Sequence, residues 1–289
     1  MSMLPAKEIT ISVKPESGRT AEHRDSPVSP QYKKYLRAQK QKVWLIRASR
    51  LFILAAFLAL WQLAADLKWV DPMLTSKPSS LISSFRELAL NGNLFKHIRV
   101  TAVETVISMA VSMLLGFVIA VLLWLSSFAS KVLEPYMVVL NALPKVALGP
   151  IFYIWLGDRY SIYGMAIAIS LVVTVLMLES GFREIGQTKL KLMESLGASR
   201  MQMLRMVMLP ASIPNVIATL KVNVGLTLVG VIMGEFLSSK AGLGYLIIYG
   251  GQVFQMNMVM VSIAMLALMS VVLYGIVSVI GYYAGGGKR

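Results

Sequence analysis

The sequence predicts an all-α, polytopic membrane protein with six transmembrane helices and both termini in the cytoplasm. Three observations carry that expectation. Of 289 residues, 56% are hydrophobic and only 15% charged, and the mean hydropathy is +0.68, whereas soluble domains are about a quarter charged. The apolar residues come in blocks, several of them long enough for the roughly 20 helical residues that cross a hydrocarbon core. Lys and Arg are also unevenly placed: nineteen fall in segments that six spans would put on one side, and seven on the other. Positive residues mark the cytoplasmic side, so the net charge of +14 reads as topology, and no nucleic-acid partner is expected. The absence of cysteine excludes disulfides, thiolate nucleophiles and Cys-ligated metals. Two histidines, His23 and His97, are too few for a His-based metal site, so no metal is expected.

Residues 1–42 are polar and basic, with Pro5, Pro15, Pro27 and Pro30, and predict a disordered cytoplasmic tail. The apolar run begins too late for a cleaved signal peptide. The membrane domain spans 43–284. Its first span is Leu51–Ala65, extended by Val43–Arg50, with Arg47 and Arg50 snorkelling to the interface. In the polar section Asp66–Arg99, Ser79 or Ser80 is the expected cap of a short helix that ends at Asn91-Gly92. The second span is Thr101–Leu125. The third, Pro135–Leu156, contains Pro144, Lys145, Gly149 and Pro150, so an interruption is expected there. Ser161–Leu178 is the fourth span and Ala211–Met233 the fifth. Ala241–Gly287 carries no charge and is too long for one crossing. Its Gly-rich start predicts an interfacial helix or re-entrant loop before a sixth span, Met258–Tyr283. A short cytoplasmic tail, 285–289, closes the chain.

Between the fourth and fifth spans lies the longest polar insert, Glu179–Pro210, and topology places it in the cytoplasm. It carries Arg183, Lys189, Lys191, Arg200 and Arg205. Its punctuation predicts two short helices meeting at a corner. Gly197 is the residue type that takes the left-handed conformation past a helix end. Ser199 and Gln202 have the S-x-x-Q spacing of a capping box. Met201, Leu204 and Met208 give the second helix one apolar side, and Pro210 ends or kinks it.

Gly197, nine residues, Val207, one residue, then Leu209-Pro210 resembles the EAA signature, G-x9-I-x-LP, of inner-membrane permeases in binding-protein-dependent ABC importers. The run Gly197-Ala198-Ser199-Arg200 is typical of it. The name-giving Glu-Ala-Ala triplet falls on Lys191-Leu192-Met193, where this chain departs from the pattern. Ala142–Gly157 and Gly234–Ile247 look like the sulfonate, taurine and nitrate subgroup. The resemblance covers about 51–284 and implies a type I ABC importer fold. It implies a loop, about 181–209, that couples to separate cytoplasmic ATPase subunits through Lys191, Glu194, Gly197, Ala198, Ser199, Met201, Leu204, Val207, Leu209 and Pro210. It also implies an extracytoplasmic substrate-binding protein and a second permease copy in a bacterial inner membrane. ATP would be used by the partner. The only approach to a phosphate loop in this chain, Gly285-Gly286-Gly287-Lys288, lacks the required spacing, so the chain is expected to hold no cofactor and no catalytic residue.

Charged and amide side chains inside spans are the candidates for a solute pathway. These are Asn141 and Lys145 in the third span and Lys221 and Asn223 in the fifth. Lys145 and Lys221 favour an anion such as a sulfonate, taurine or nitrate. The structural readings are Lys145 paired with helix carbonyls or with Glu104 or Glu134, Lys221 snorkelling, and interhelical hydrogen bonds for the two Asn. Glu235 is expected at the outer interface, where the binding protein would dock. Two alternatives remain on sequence alone. One is an importer of a thiamine-precursor-like heterocycle; the other is an ion-coupled transporter or channel that needs no ATPase.

Overall fold

In a computed structural model of the protein, the described residues are 30–71, 75–91, 93–185 and 187–284. Residues 1–29 of the expected N-terminal tail and the expected tail at 285–289 lie outside them, as does Gly92. The chain divides into two compact units, Met1–Ala59 and Leu60–Arg289, and every regular element among the described residues is helical. The described part of the first unit belongs to one helix, α1 (Pro30–Asp66), exposed along almost its whole length. α1 therefore enters residues 30–42, which were expected to be disordered. Pro30 pre-sets the first helical turn, and the Lys, Arg, Gln, Ala and Leu that follow are good helix formers.

The second unit continues with α2 (Pro78–Asn91), α3 (Leu94–Leu125), α4 (Ser127–Ala142), a 3-10 turn (Lys145–Leu148) and α5 (Gly149–Glu184). Then come α6 (Gln187–Ser195), α7 (Arg200–Met203), a π-helical segment (Leu204–Met208), α8 (Leu209–Ser238), α9 (Leu243–Gln252) and α10 (Met256–Ala284). α2 starts at Pro78, one residue ahead of its expected caps, and the Ser79 N–H donates to Gln62 Oε1 at 3.1 Å.

Among the described residues, five helical stretches are long and apolar enough to cross a membrane: Arg37–Asp66, Leu94–Leu125, Lys145–Glu184, Arg200–Ser238 and Met256–Ala284. The difference from six arises at the expected third span. α4 has 16 residues, about 24 Å at 1.5 Å per residue, which is short of a 30 Å core. Pro144 has no N–H to extend it, and Leu143 before it is extended. The rest of the expected third span forms the first part of α5, which is broken by a kink from the part that forms the fourth. The junction is Gly157, at φ 72° and ψ −179°, a backbone conformation that glycine alone adopts freely.

The centre of the unit is the contact of α8 with α5. Gly230 and Gly234 form a G-x-x-x-G pair on α8. A Cβ on Gly230 would lie 2.5 Å from Ala166 Cα, and one on Gly234 2.6 Å from Ile162 Cα. Such pairs let two membrane helices approach closely enough for extensive van der Waals contact. One cluster beyond this crossing joins Leu94, Leu228, Leu243, Leu246 and Val261. Another joins Ala120, Leu178, Phe182, Leu204 and Met208, with Phe117 edge-on to Phe182. Gly230→Leu overfills the crossing and is expected to lower the unfolding midpoint in detergent by about 5 °C. Gly225→Leu, at a position on the same helix where an added Cβ would meet no other element within 4 Å, is expected to change it little.

Candidate functional site

The expected corner in the polar insert is present. α6 closes in a Schellman motif: the Gly197 N–H donates to Glu194 O at 2.9 Å and the Ala198 N–H to Met193 O at 3.0 Å. Gly197 takes φ +76°, as that motif requires. Ser199 then caps α7. Its Oγ accepts from the Gln202 N–H at 3.3 Å, and the Ser199 N–H donates to Gln202 Oε1 at 2.7 Å. Ser199→Ala removes one half of this box, which is worth about 1 kcal/mol to helix stability. Faster amide hydrogen exchange at Gln202 and Met203 is the expected readout.

The second helix does not end at Pro210. α7 passes through the π segment directly into α8, and the Leu209 N–H donates to Leu204 O. A π turn is wider by one residue. It leaves room ahead of a proline that lacks an N–H and whose ring would press on the carbonyl four residues back. The expected apolar side also divides. Leu204 and Met208 are buried in the chain's own core beside Phe182 and Ala120, while Met201 is exposed. Val207 and Leu209 are half-buried and Pro210 exposed. The outward apolar surface of the insert is Leu192, Leu196, Met201 and Met206, all exposed. Lys189, Lys191, Glu194 and Arg205 are exposed around it.

Two polar anchors fasten the insert to neighbouring helices; only the i,i+4 pair of Glu179 and Arg183 is legible from spacing. Arg200 Nη1 donates to Leu125 O, at the end of α3, at 2.7 Å. Arg183 donates to Glu179 Oε1 at 2.7 Å and to Ser130 Oγ at 2.6 Å, and its guanidinium lies 3.8 Å from Glu134. Ser130 in turn donates to Glu179 at 2.7 Å. This cluster joins α4 to the end of α5.

The four pathway candidates fall into two separate pairs. Lys145 Nζ donates to Asn141 O at 3.4 Å, a helix-carbonyl partner, and Asn141 is exposed. In α8, Lys221 sits over the Tyr274 ring of α10, 5.6 Å from its centroid, a cation–π arrangement. Asn223 is buried, and its amide donates to Thr174 Oγ1 on α5 at 2.7 Å. No hydrogen bond or ion pair joins one pair to the other among the described residues.

Glu235 is buried rather than exposed at the end of its span. It is 1% exposed, and its carboxylate organises the start of α9. Oε1 accepts from Thr101 Oγ1 at 2.6 Å, and Oε2 accepts from the Gly244 N–H at 2.5 Å. Thr101 Oγ1 accepts the Leu243 N–H at 2.8 Å, and His97 Nδ1 accepts the Gly242 N–H at 2.9 Å. Three successive N–H groups at a helix start, which have no intrahelical partner, are therefore each taken by a side chain. Gly242 and Gly244 leave the space the carboxylate fills. A cavity of about 250 Å³ opens nearby, lined among others by Glu104, Asp158, Arg159 and Lys240.

Residues 112–285 match the family described as binding-protein-dependent transport system inner membrane component. The chain is 26% identical over 218 residues to the putative aliphatic sulfonates transport permease SsuC of Bacillus subtilis, covering 75% of this chain and 79% of that one. It is 24% identical to the taurine transport system permease TauC of Escherichia coli, over 76% and 82% of the two chains. It is 26% identical to the formylaminopyrimidine transport permease ThiX of Halalkalibacterium halodurans, over 65% and 75%. Its fold is similar to that in inward-facing structures of the MetNI methionine ABC transporter, with a TM-score of 0.58 at 17% identity, covering 69% of this chain and 99% of the other.

Proposed function

On the premise that this chain belongs to the family of binding-protein-dependent transport system inner membrane components, a multi-pass membrane transport subunit, we propose that it carries a small organic anion of the sulfonate or taurine type. In this reading the chain crosses the membrane six times with both ends cytoplasmic. α4 and the start of α5 up to Gly157 together make the interrupted third passage. Two copies form the pathway, cytoplasmic ATPase subunits bind Gln187–Leu209, and a binding protein delivers the solute outside. The observation that carries the coupling role is the double-locked corner at Gly197 and Ser199, which presents Leu192, Leu196, Met201 and Met206 to a partner. Fixed hydrogen bonds on both sides of a left-handed residue make the helix pair a stiff lever. ATP-driven closure of the partner then shifts the population between inward- and outward-open states.

Lys191, at the place of the signature's first Glu, does not weaken this reading, because the corner is built from backbone and caps. The anion preference rests on Lys145 and Lys221 and on the likeness to SsuC and TauC. The likeness to ThiX favours a pyrimidine-type heterocycle as the second reading. Proteoliposomes containing the chain, its ATPase and its binding protein separate them. ATP-dependent uptake of labelled taurine or an alkanesulfonate, competed by neither thiamine nor aminopyrimidines, is the expected result. Full-rate uptake without ATP or the ATPase would refute the importer itself.

A further inference from the structure

α1 is continuous from Pro30 to Asp66, and its far end is fixed in polar surroundings. Asp66 accepts from Gln62 Nε2 at 2.8 Å and pairs with Lys77 at 3.2 Å. Counting back about 20 residues, the length that crosses a 30 Å core, places the opposite hydrocarbon edge near Arg47. Just beyond that edge come Trp44, Lys42 and Lys40, about 5, 8 and 11 Å further along a straight helix. Lys34 and Arg37 follow at about 20 and 15 Å, within one or two screening lengths at 0.1 M salt. Residues 30–50 hold seven Lys/Arg and no Asp or Glu. Lys34, Arg37, Lys40, Lys42, Arg47 and Arg50 are exposed, and so is Trp44, at 68%. Arg37, Lys40, Trp44 and Arg47 follow one another at spacings of three, four and three, so they share one face of the helix.

We propose that this juxtamembrane end of α1 is a binding surface for anionic phospholipid headgroups. Lys40, Lys42, Arg47 and Arg50 make the headgroup contacts, and Trp44 sets their depth. The charge complementarity is one-sided: a run of cations with no anion among them cannot neutralise itself. A helix that passes unbroken into the membrane span holds those cations at the phosphate layer without paying to order a loop. Trp is the side chain that settles at this depth, its ring apolar and its N–H wet. Basic residues close to an anionic leaflet strengthen binding about fivefold each.

The test is native mass spectrometry of the full chain in detergent, incubated with equimolar phosphatidylglycerol and phosphatidylcholine. Wild type is expected to retain phosphatidylglycerol at least about tenfold over phosphatidylcholine, with the preference falling when the ionic strength is raised to 1 M. K40Q/K42Q/R47Q is expected to bring the ratio to within about twofold of unity, and K40R/K42R/R47K to keep it. The proposal is overturned if wild type shows no preference, if the Gln variant keeps it, or if the charge-conserving variant loses it. An acidic protein partner as the true occupant gives its own pattern. The Gln variant would then keep its phosphatidylglycerol while losing co-purification of a bound subunit.

Discussion

Glu235→Leu is expected to lower the unfolding midpoint of the detergent-solubilised chain by roughly 10 °C. The carboxylate is fully buried and accepts one hydroxyl and one backbone N–H. Leucine fills a similar volume but leaves the Gly244 N–H unsatisfied and frees Thr101 from its acceptor. Each buried group stranded in this way costs about 1–3 kcal/mol. At two to four degrees per kcal/mol for a unit of this size, the sum is a shift of about 10 °C. Glu235→Gln offers one amide oxygen in place of two carboxylate oxygens, so about half that loss is expected. Thr101→Val is expected to resemble the Leu variant, because Thr101 both donates to Glu235 and accepts from Leu243. A double variant of Glu235 and Thr101 should then be much less destabilised than the sum, since one network is removed only once. Thermal unfolding followed by intrinsic fluorescence measures all of these; an additive double variant would show that the two side chains act separately.

What could be read from the chain beforehand depended on whether the interaction was local. The Gly197 turn and the Ser199–Gln202 box were legible because every partner lies within five residues. The apolar blocks announced the crossing helices for the same reason. The burial of Glu235 was not legible because the hydroxyl that fixes its carboxylate, that of Thr101, lies 134 residues earlier. Its position near the end of a span suggested an interface, and only tertiary packing buries it. The insert's apolar side was misassigned in a similar way. Spacing groups Met201, Leu204 and Met208, but Leu204 and Met208 pack into the chain's own core while Met201 stays exposed. The third span shows the opposite balance: Pro144, Gly149 and Pro150 marked the interruption, yet the joining of its second half to the next helix rests on the backbone of Gly157. The Gly230-x-x-x-Gly234 pair was available as a signal, and at both positions the backbone of α5 lies where a Cβ would sit.

Gly197→Val is expected to leave membrane insertion intact and to abolish substrate-stimulated ATP hydrolysis in the assembled transporter. The residue holds φ +76°, and nothing lies within 4 Å of where a Cβ would sit. Any penalty therefore comes from the backbone alone, not from crowding. The left-handed conformation costs an ordinary L-residue about 1–2 kcal/mol, and a β-branched side chain fares worst there. That cost offsets most of the roughly 1–3 kcal/mol that the two Schellman hydrogen bonds contribute together, so the corner is expected to be open in a large share of molecules. Asn tolerates the left-handed region, so Gly197→Asn is expected to retain most of the stimulated rate although its side chain is larger than that of Ala. Gly197→Ala should fall between the two. This order, Gly above Asn above Ala above Val, is the signature of a conformational requirement. An order following side-chain volume, with Asn below Ala, would instead mean that the partner packs directly against Gly197. Equal rates in all four would mean that the corner transmits nothing. ATP hydrolysis with saturating binding protein and solute, alongside co-purification of the ATPase, separates these outcomes. A Val variant that still binds the ATPase but no longer responds to substrate would place the corner in transmission rather than in docking.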